Sequence, residues 1–87
     1  MVKIGVQNLS DFELLAIILR SGGRNISAIA LSKQILEKFE DFEGIAKTEL
    51  EDLVLFKNVG LAKATAIKAA CEIGSRVCKS YRKEVKK

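Results

Sequence analysis

The turn Asn58-Val59-Gly60 joins an apolar segment that ends at Phe56 to an Ala-rich segment that starts at Leu61. It leaves this chain few ways to fold. Asn and Gly tolerate φ > 0 better than other residues, so both suit a tight reversal between two helices. Val59 between them is apolar and can fold back onto a core. Gly60 has no side chain to shield the amides of the following helical turn. Those amides are helix-start donors at the positive end of the helix dipole, and such an end can bind a phosphate. Lys57 precedes the turn and Lys63 follows one helical turn in, so both can add charge. An ordinary helical hairpin without a ligand uses the same residues. Both readings stand on this stretch alone.

The rest of the chain repeats the pattern. Residues 1–9 read as irregular. Ser10 and Glu13 form a capping box for a helix over 11–20, and Asp11 suits its first turn electrostatically. This helix is apolar nearly all round, through Phe12, Leu14, Leu15, Ala16, Ile17, Ile18 and Leu19, which predicts a central, surrounded position. Ile17 and Ile18 also suit a strand, but the length and the cap favour helix. Ser21-Gly22-Gly23-Arg24-Asn25 is a turn cluster. A helix capped by Ser27 or Asn25 follows to Phe39, with Ala28, Leu31, Ile35 and Phe39 on its buried face. Residues 42–46 make one short helical turn. Thr48 and Glu51 read as a second capping box, starting a helix to Leu55. The last helix is expected over 61–81, with a core stripe of Ile67, Ala70, Gly74, Val77 and Tyr81. Two helix–turn–helix units would then pack about a pseudo-twofold axis, with both turns emerging on one side.

Composition closes off several function classes. With 87 residues the chain makes one domain, burying roughly 60–65% of its unfolded surface. The longest apolar run, Leu14–Leu19, is too short to span a membrane, and the first residues lack the apolar stretch of a signal peptide, so a cytoplasmic protein is expected. There is no His, which removes Ser-His and Cys-His nucleophile pairs. Cys71 and Cys78 lie seven apart on one helix, too far for a disulfide within the chain. They read as buried free thiols beside the core stripe. No catalytic residue, metal site or cofactor is expected.

Charge is unevenly placed. The net charge of +4 equals that of residues 79–87, where five basic residues stand against Glu84. This tail can hold DNA weakly by itself through counterion release. Residues 1–78 are neutral but segregated. Residues 20–33 and 57–68 carry only basic charges, and the intervening 34–56 are mainly acidic. Basic segments sharing one face would attract a polyanion. Chance partition of solvated charges is the bland alternative.

The run Asn8-Leu9-Ser10-Asp11-Phe12-Glu13-Leu14-Leu15-Ala16-Ile17-Ile18-Leu19-Arg20-Ser21-Gly22 resembles the opening of the N-terminal domain of RadC-type proteins. Phe56 to Ala64 is similar to that family's helix-hairpin-helix, and Glu72-Ile73-Gly74-Ser75-Arg76 to the run that follows it. Asn58 stands where the motif usually has Gly, and Leu61 where Pro is frequent. The resemblance covers residues 8–77. It implies an all-α tandem helix-hairpin-helix domain of four main helices plus a short connecting helix, like the second domain of the RuvA junction-binding protein. Family members continue into a domain resembling JAB/MPN metal-dependent peptidases. That domain needs a His-x-His pair, so the resemblance implies that this chain is the N-terminal part of a longer protein, without the peptidase-like domain.

The expected organisation is an irregular segment over 1–9, a helical domain over 10–81 and a basic, frayed tail over 82–87. The expected function is non-enzymatic, sequence-independent binding of double-stranded or branched DNA through its phosphates, in DNA repair. Lys57, Asn58, Val59, Gly60 and Lys63 would act from the second turn, and Gly22, Gly23 and Arg24 from the first. Neither turn holds an aromatic residue, so base stacking is not expected. The competing expectation is a protein-interaction module that docks the absent C-terminal domain or a partner. A monomer is expected.

Overall fold

The computed structural model describes residues 5–23 and 25–85. Within them the chain forms five α-helices and no strand: α1 (Asp11–Leu19), α2 (Ala28–Phe39), α3 (Phe42–Lys47), α4 (Leu50–Leu55) and α5 (Gly60–Val85). A single 3-10 turn, Val6–Asn8, precedes them. Because α3 and α4 have six residues each, four main helices and a connector misdescribe the chain, which is better counted as five.

Local chemistry sets most of the helix starts. Ser10 caps α1 in a complete capping box. Its Oγ accepts from the Glu13 amide, and Glu13 Oε1 accepts from the Ser10 amide at 2.9 Å. These bonds, the backbone one foremost, hold the Glu13 carboxyl below the usual carboxylate range. Ser27, not Asn25, caps α2, its Oγ accepting from the Ala30 amide at 3.0 Å. Asp41 caps α3 through the Gly44 amide at 2.8 Å. The capping box expected at Thr48 does not form. Thr48 faces backwards, its hydroxyl donating to the Gly44 carbonyl at 2.8 Å, and Glu49 precedes α4 without a side-chain cap bond. The C-terminal carbonyls of α3 lack helical partners, and that of Gly44 takes the hydroxyl.

Both α1 and α2 end in the same unusual way. Arg20 (φ 68°, ψ −40°) and Glu40 (φ 79°, ψ −53°) are each spanned by a bond from the following amide to the preceding carbonyl. This is the strained form of the γ-turn, and it reverses the chain within three residues.

The core lies between α1, α2, α4 and α5. Leu31, Ile35 and Leu53 are fully buried, with Leu15, Leu19, Ile45, Val59, Ala64 and Ile67 around them. Phe39 and Phe56 pack at its edge with ring centroids 6.0 Å apart. Ser32, the buried polar residue here, donates to the Ala28 carbonyl at 2.8 Å and so carries no unmet bond. Lys68 of α5 donates to the carbonyls of Ala46 and Thr48, both at 2.7 Å. A cation thus meets the negative end of α3 and ties it to α5.

Two expectations fail in one direction. The helix α1 is not surrounded, because Leu15 and Leu19 are buried while Ile17 stands 57% exposed. The predicted core stripe of α5 stops at Ile67, with Cys71 packed against its edge. From Glu72 to Tyr81 the helix is exposed, Cys78 included, so that thiol is not buried. The helix also continues past Tyr81 to Val85. The physical reason is length: 26 residues of helix run about 39 Å, longer than the short helices beside it can cover.

Two outcomes test this account. Lys68→Met should lower stability by about 1.5 kcal/mol, because the lost bonds come from a charged donor; urea unfolding measures it. Glu13 has a depressed folded pKa, so its contribution is present above the ordinary carboxylate range and lost as pH falls through it. Glu13→Gln should therefore flatten the decline in melting temperature between neutral and acid pH.

Candidate nucleic-acid interface

The second turn is built as a reversal with an anchor. Helix α4 ends at Leu55, and the Val59 amide donates to the Phe56 carbonyl at 3.0 Å. Asn58 has φ 72° and Gly60 φ 68°, the left-handed values that the residue types suggested. Val59 turns inward and is 5% exposed. Its burial holds the turn to the core while Lys57 and Gly60 stay in solvent. The amide of Val59 is used within the turn, so this residue positions the turn and is not a free donor. As the residue before α5, it also has no side-chain acceptor for the amides of the first helical turn. Nothing lies within 4 Å of where a Cβ on Gly60 would stand, so that end of the helix is open.

The first turn differs. A Cβ on Gly22 would collide with the Ile26 carbonyl and the backbone of Ser27. Gly22 is buried and lets the turn close on itself. Gly23 (φ 106°) and Asn25 (φ 61°) take positive angles on either side of position 24. Arg24 itself lies outside the described residues. The amide of Ala30 at the start of α2 is taken by Ser27, whereas α5 begins without such a cap residue. The two turns are thus similar in outline and unequal as donors.

Tertiary packing brings the turns together. A Cβ on Gly23 would stand 3.0 Å from Asn58 Oδ1. Lys63 Nζ donates to Ser21 Oγ at 3.4 Å, across 42 residues of sequence. Ser21, Gly23, Asn58 and Lys63 therefore form one surface, with Lys57 and Gly60 on the same turn as Asn58. Ser21 is the member that sequence reasoning passed over. Its signal was a hydroxyl directly before the Gly pair. Lys68, which belongs to the same basic segment as Lys57 and Lys63, is occupied at α3. Among the described residues no group of His, Cys, Asp and Glu is arranged to hold a metal, and no helix is long and apolar enough to cross a membrane. The chemistry available is that of donors: an ammonium, a hydroxyl, an amide side chain and the opening amides of α5.

Backbone strain alone should govern substitution at Gly60. Gly60→Ala is expected to cost about 1 kcal/mol although the space is empty, and Gly60→Asn less, because Asn tolerates positive φ. Chemical unfolding of the two variants measures the difference.

A family model described as UPF0758 N-terminal matches residues 1–65. A UPF0758 protein of Desulforudis audaxviator is 50% identical over 72 residues, covering 83% of this chain and 31% of that protein. One from Flavobacterium johnsoniae is 46% identical over 72 residues with the same coverage. The UPF0758 protein YsxA of Bacillus subtilis is 37% identical over 84 residues, covering 97% of this chain and 36% of the relative. The chain thus spans about a third of the length of the curated relatives it matches. No solved structure matches it.

Proposed function

Since this chain belongs to the UPF0758 family, matching its N-terminal domain, we propose that it is a non-catalytic module that binds the DNA backbone without regard to sequence. In this reading it is the tandem helix-hairpin-helix domain of a RadC-like repair protein, and its ligand is double-stranded or branched DNA. One observation carries the proposal: the two Gly-containing turns meet, and Lys63 bridges them to Ser21. Two separate hairpins would offer two weak anion contacts. Adjacent hairpins offer their donors together to one stretch of the phosphate backbone.

In the complex, the α5 amides beyond Gly60 approach one phosphate, with the helix dipole behind them. Lys63 releases the Ser21 hydroxyl and binds the same or the next phosphate, and the hydroxyl becomes a further donor. Lys57 adds charge from the exposed side. Asn58 donates through its side-chain amide, in place of the close backbone approach that a Gly would permit. Gly22 and Val59 hold the two turns in place. Arg24 extends the basic surface by its position in the sequence.

A second reading, a docking module for the remainder of a longer chain or for a partner, draws on a separate observation. An open apolar groove lies between α1, α3 and α5, away from the turns. The readings differ in which residues matter.

Titration of a fluorescent duplex at two or more salt concentrations separates them. Lys63→Ala should weaken binding equally for unrelated duplex sequences and lower the salt slope by about one unit. The titration should be run with Lys79, Arg82, Lys83, Lys86 and Lys87 changed to Gln, so that the tail contributes no phosphate contacts. Parent-like affinity and salt slope in Lys63→Ala and Lys57→Ala, with the fold intact, would exclude the turn surface as the DNA site.

A further inference from the structure

The two Gly-containing turns are fastened to the core and also to each other. Gly22 is buried, and the first turn closes on the backbone of Ile26 and Ser27 around it. Val59, 5% exposed, pins the second turn. Two contacts then join the turns. One is the bond from Lys63 to Ser21 Oγ, which at 3.4 Å is long and stands in solvent. The other is made by the Asn58 side chain, which lies over Gly23. A Cβ on Gly23 would stand 3.0 Å from Asn58 Oδ1, 3.3 Å from its Cγ and 3.4 Å from its Cβ. Asn58 thus fills the space that a side chain at position 23 would need. Both residues hold positive φ, 72° at Asn58 and 106° at Gly23. A glycine at position 58 would take its angle with less strain. What the Asn adds is the contact with Gly23.

We propose that Asn58 is a positioning residue that makes this surface select double-stranded over single-stranded DNA. The inference rests on the backbone-binding reading above, in which Lys63 gives up Ser21 for a phosphate. Once it does so, the contact of Asn58 with Gly23 is what holds the turns at a fixed gap. A fixed pair of turns suits a stiff ligand. Duplex DNA is stiff over about 150 base pairs, so docking it on a fixed surface orders little on either side. A single strand has to be ordered first, and its lower charge density gives the lysines less counterion release. Proteins that bind single strands offset the ordering by stacking bases on aromatic side chains. The turns have no such side chain to offer. The chain has four Phe and one Tyr, and all are placed elsewhere. Phe39 and Phe56 pack on each other at the edge of the core. Phe12 lies under Lys33 Nζ, 4.6 Å from its ring centre. Phe42 lines the groove between α1, α3 and α5. Tyr81 stands about 31 Å along α5 from Gly60. Oδ1 is the atom of Asn58 nearest Gly23, so its Nδ2 remains the donor of the backbone-binding reading.

Two measurements on the whole chain test it, both with the tail cations changed to Gln as above. The first is titration of a fluorescent duplex and of a fluorescent thymidine strand of the same length. The background chain should bind the duplex about tenfold more tightly, or better. Asn58→Gly keeps the turn angle and should keep the helix content by circular dichroism. It should bring the two affinities to within about threefold, the loss falling mainly on the duplex. Removal of a donor without a positioning role would lower both affinities alike and leave their ratio unchanged. The second is a double-mutant cycle in urea unfolding. Gly23→Ala strains φ in either background but meets Asn58 only where Asn58 is present. It should therefore cost less stability when combined with Asn58→Gly. A background chain that binds duplex and single strand equally overturns this inference and leaves the backbone-binding reading standing. One that binds neither overturns both. An Asn58→Gly variant that keeps the full duplex preference, or losses that simply add in the cycle, also overturns the role given to Asn58.

Discussion

The fold rests on one shared apolar layer. Leu31 and Ile35 of α2, Leu15 and Leu19 of α1, Leu53 of α4, and Ala64 and Ile67 of α5 close on one another with almost no exposure. Each large aliphatic side chain contributes about 1.5–3 kcal/mol when fully buried, so a chain of 87 residues cannot spare many of them. Short helices such as α3 and α4 are not stable alone and exist because this layer holds them. Ala64, with no exposure, lets α5 lie close to its neighbours. The capping box at Ser10 and the Lys68 bonds to α3 then fix details that the layer leaves open.

The proposed DNA-binding surface lies where the layer ends. Val59 is both the last piece of the core at the second turn and the reason that Asn58 and Gly60 point outward. Arg20 and Glu40 reverse the chain in strained geometry after α1 and α2. The reversal at Arg20 leads straight into the first turn. The acidic and basic segments also gain meaning in three dimensions. Lys63 serves the turn surface while Lys68, five residues on, serves α3, although sequence position alone treats them alike.

The chain has more apolar surface than its own core can use. Leu15 and Leu19 of α1 face inward while Ile17 faces solvent. The seam of α5 starts in the core at Ile67 and runs out of it. Both surpluses border the same groove. A helix that is apolar all round needs cover on all sides, and within this chain that cover is incomplete.

The sequence by itself determined the helical class, the helix start at Ser10, the positive φ at Asn58 and Gly60, and the inward turn of Val59, and it narrowed the start of α2 to Ser27 or Asn25. Those are local matters of spacing, cap chemistry and φ preference, and a short window of residues suffices for them. Family membership was legible for the same reason, since it rests on contiguous runs. Other features were decided only by tertiary structure. Thr48 turned back to Gly44 because a carbonyl at the end of α3 took its hydroxyl. Cys78 and Tyr81 fell outside the core because α5 outruns its neighbours, and periodicity records a buried face without saying which molecule buries it. The meeting of Ser21 with Lys63 depends on how α1 and α5 pack across 42 residues, which no local pattern encodes.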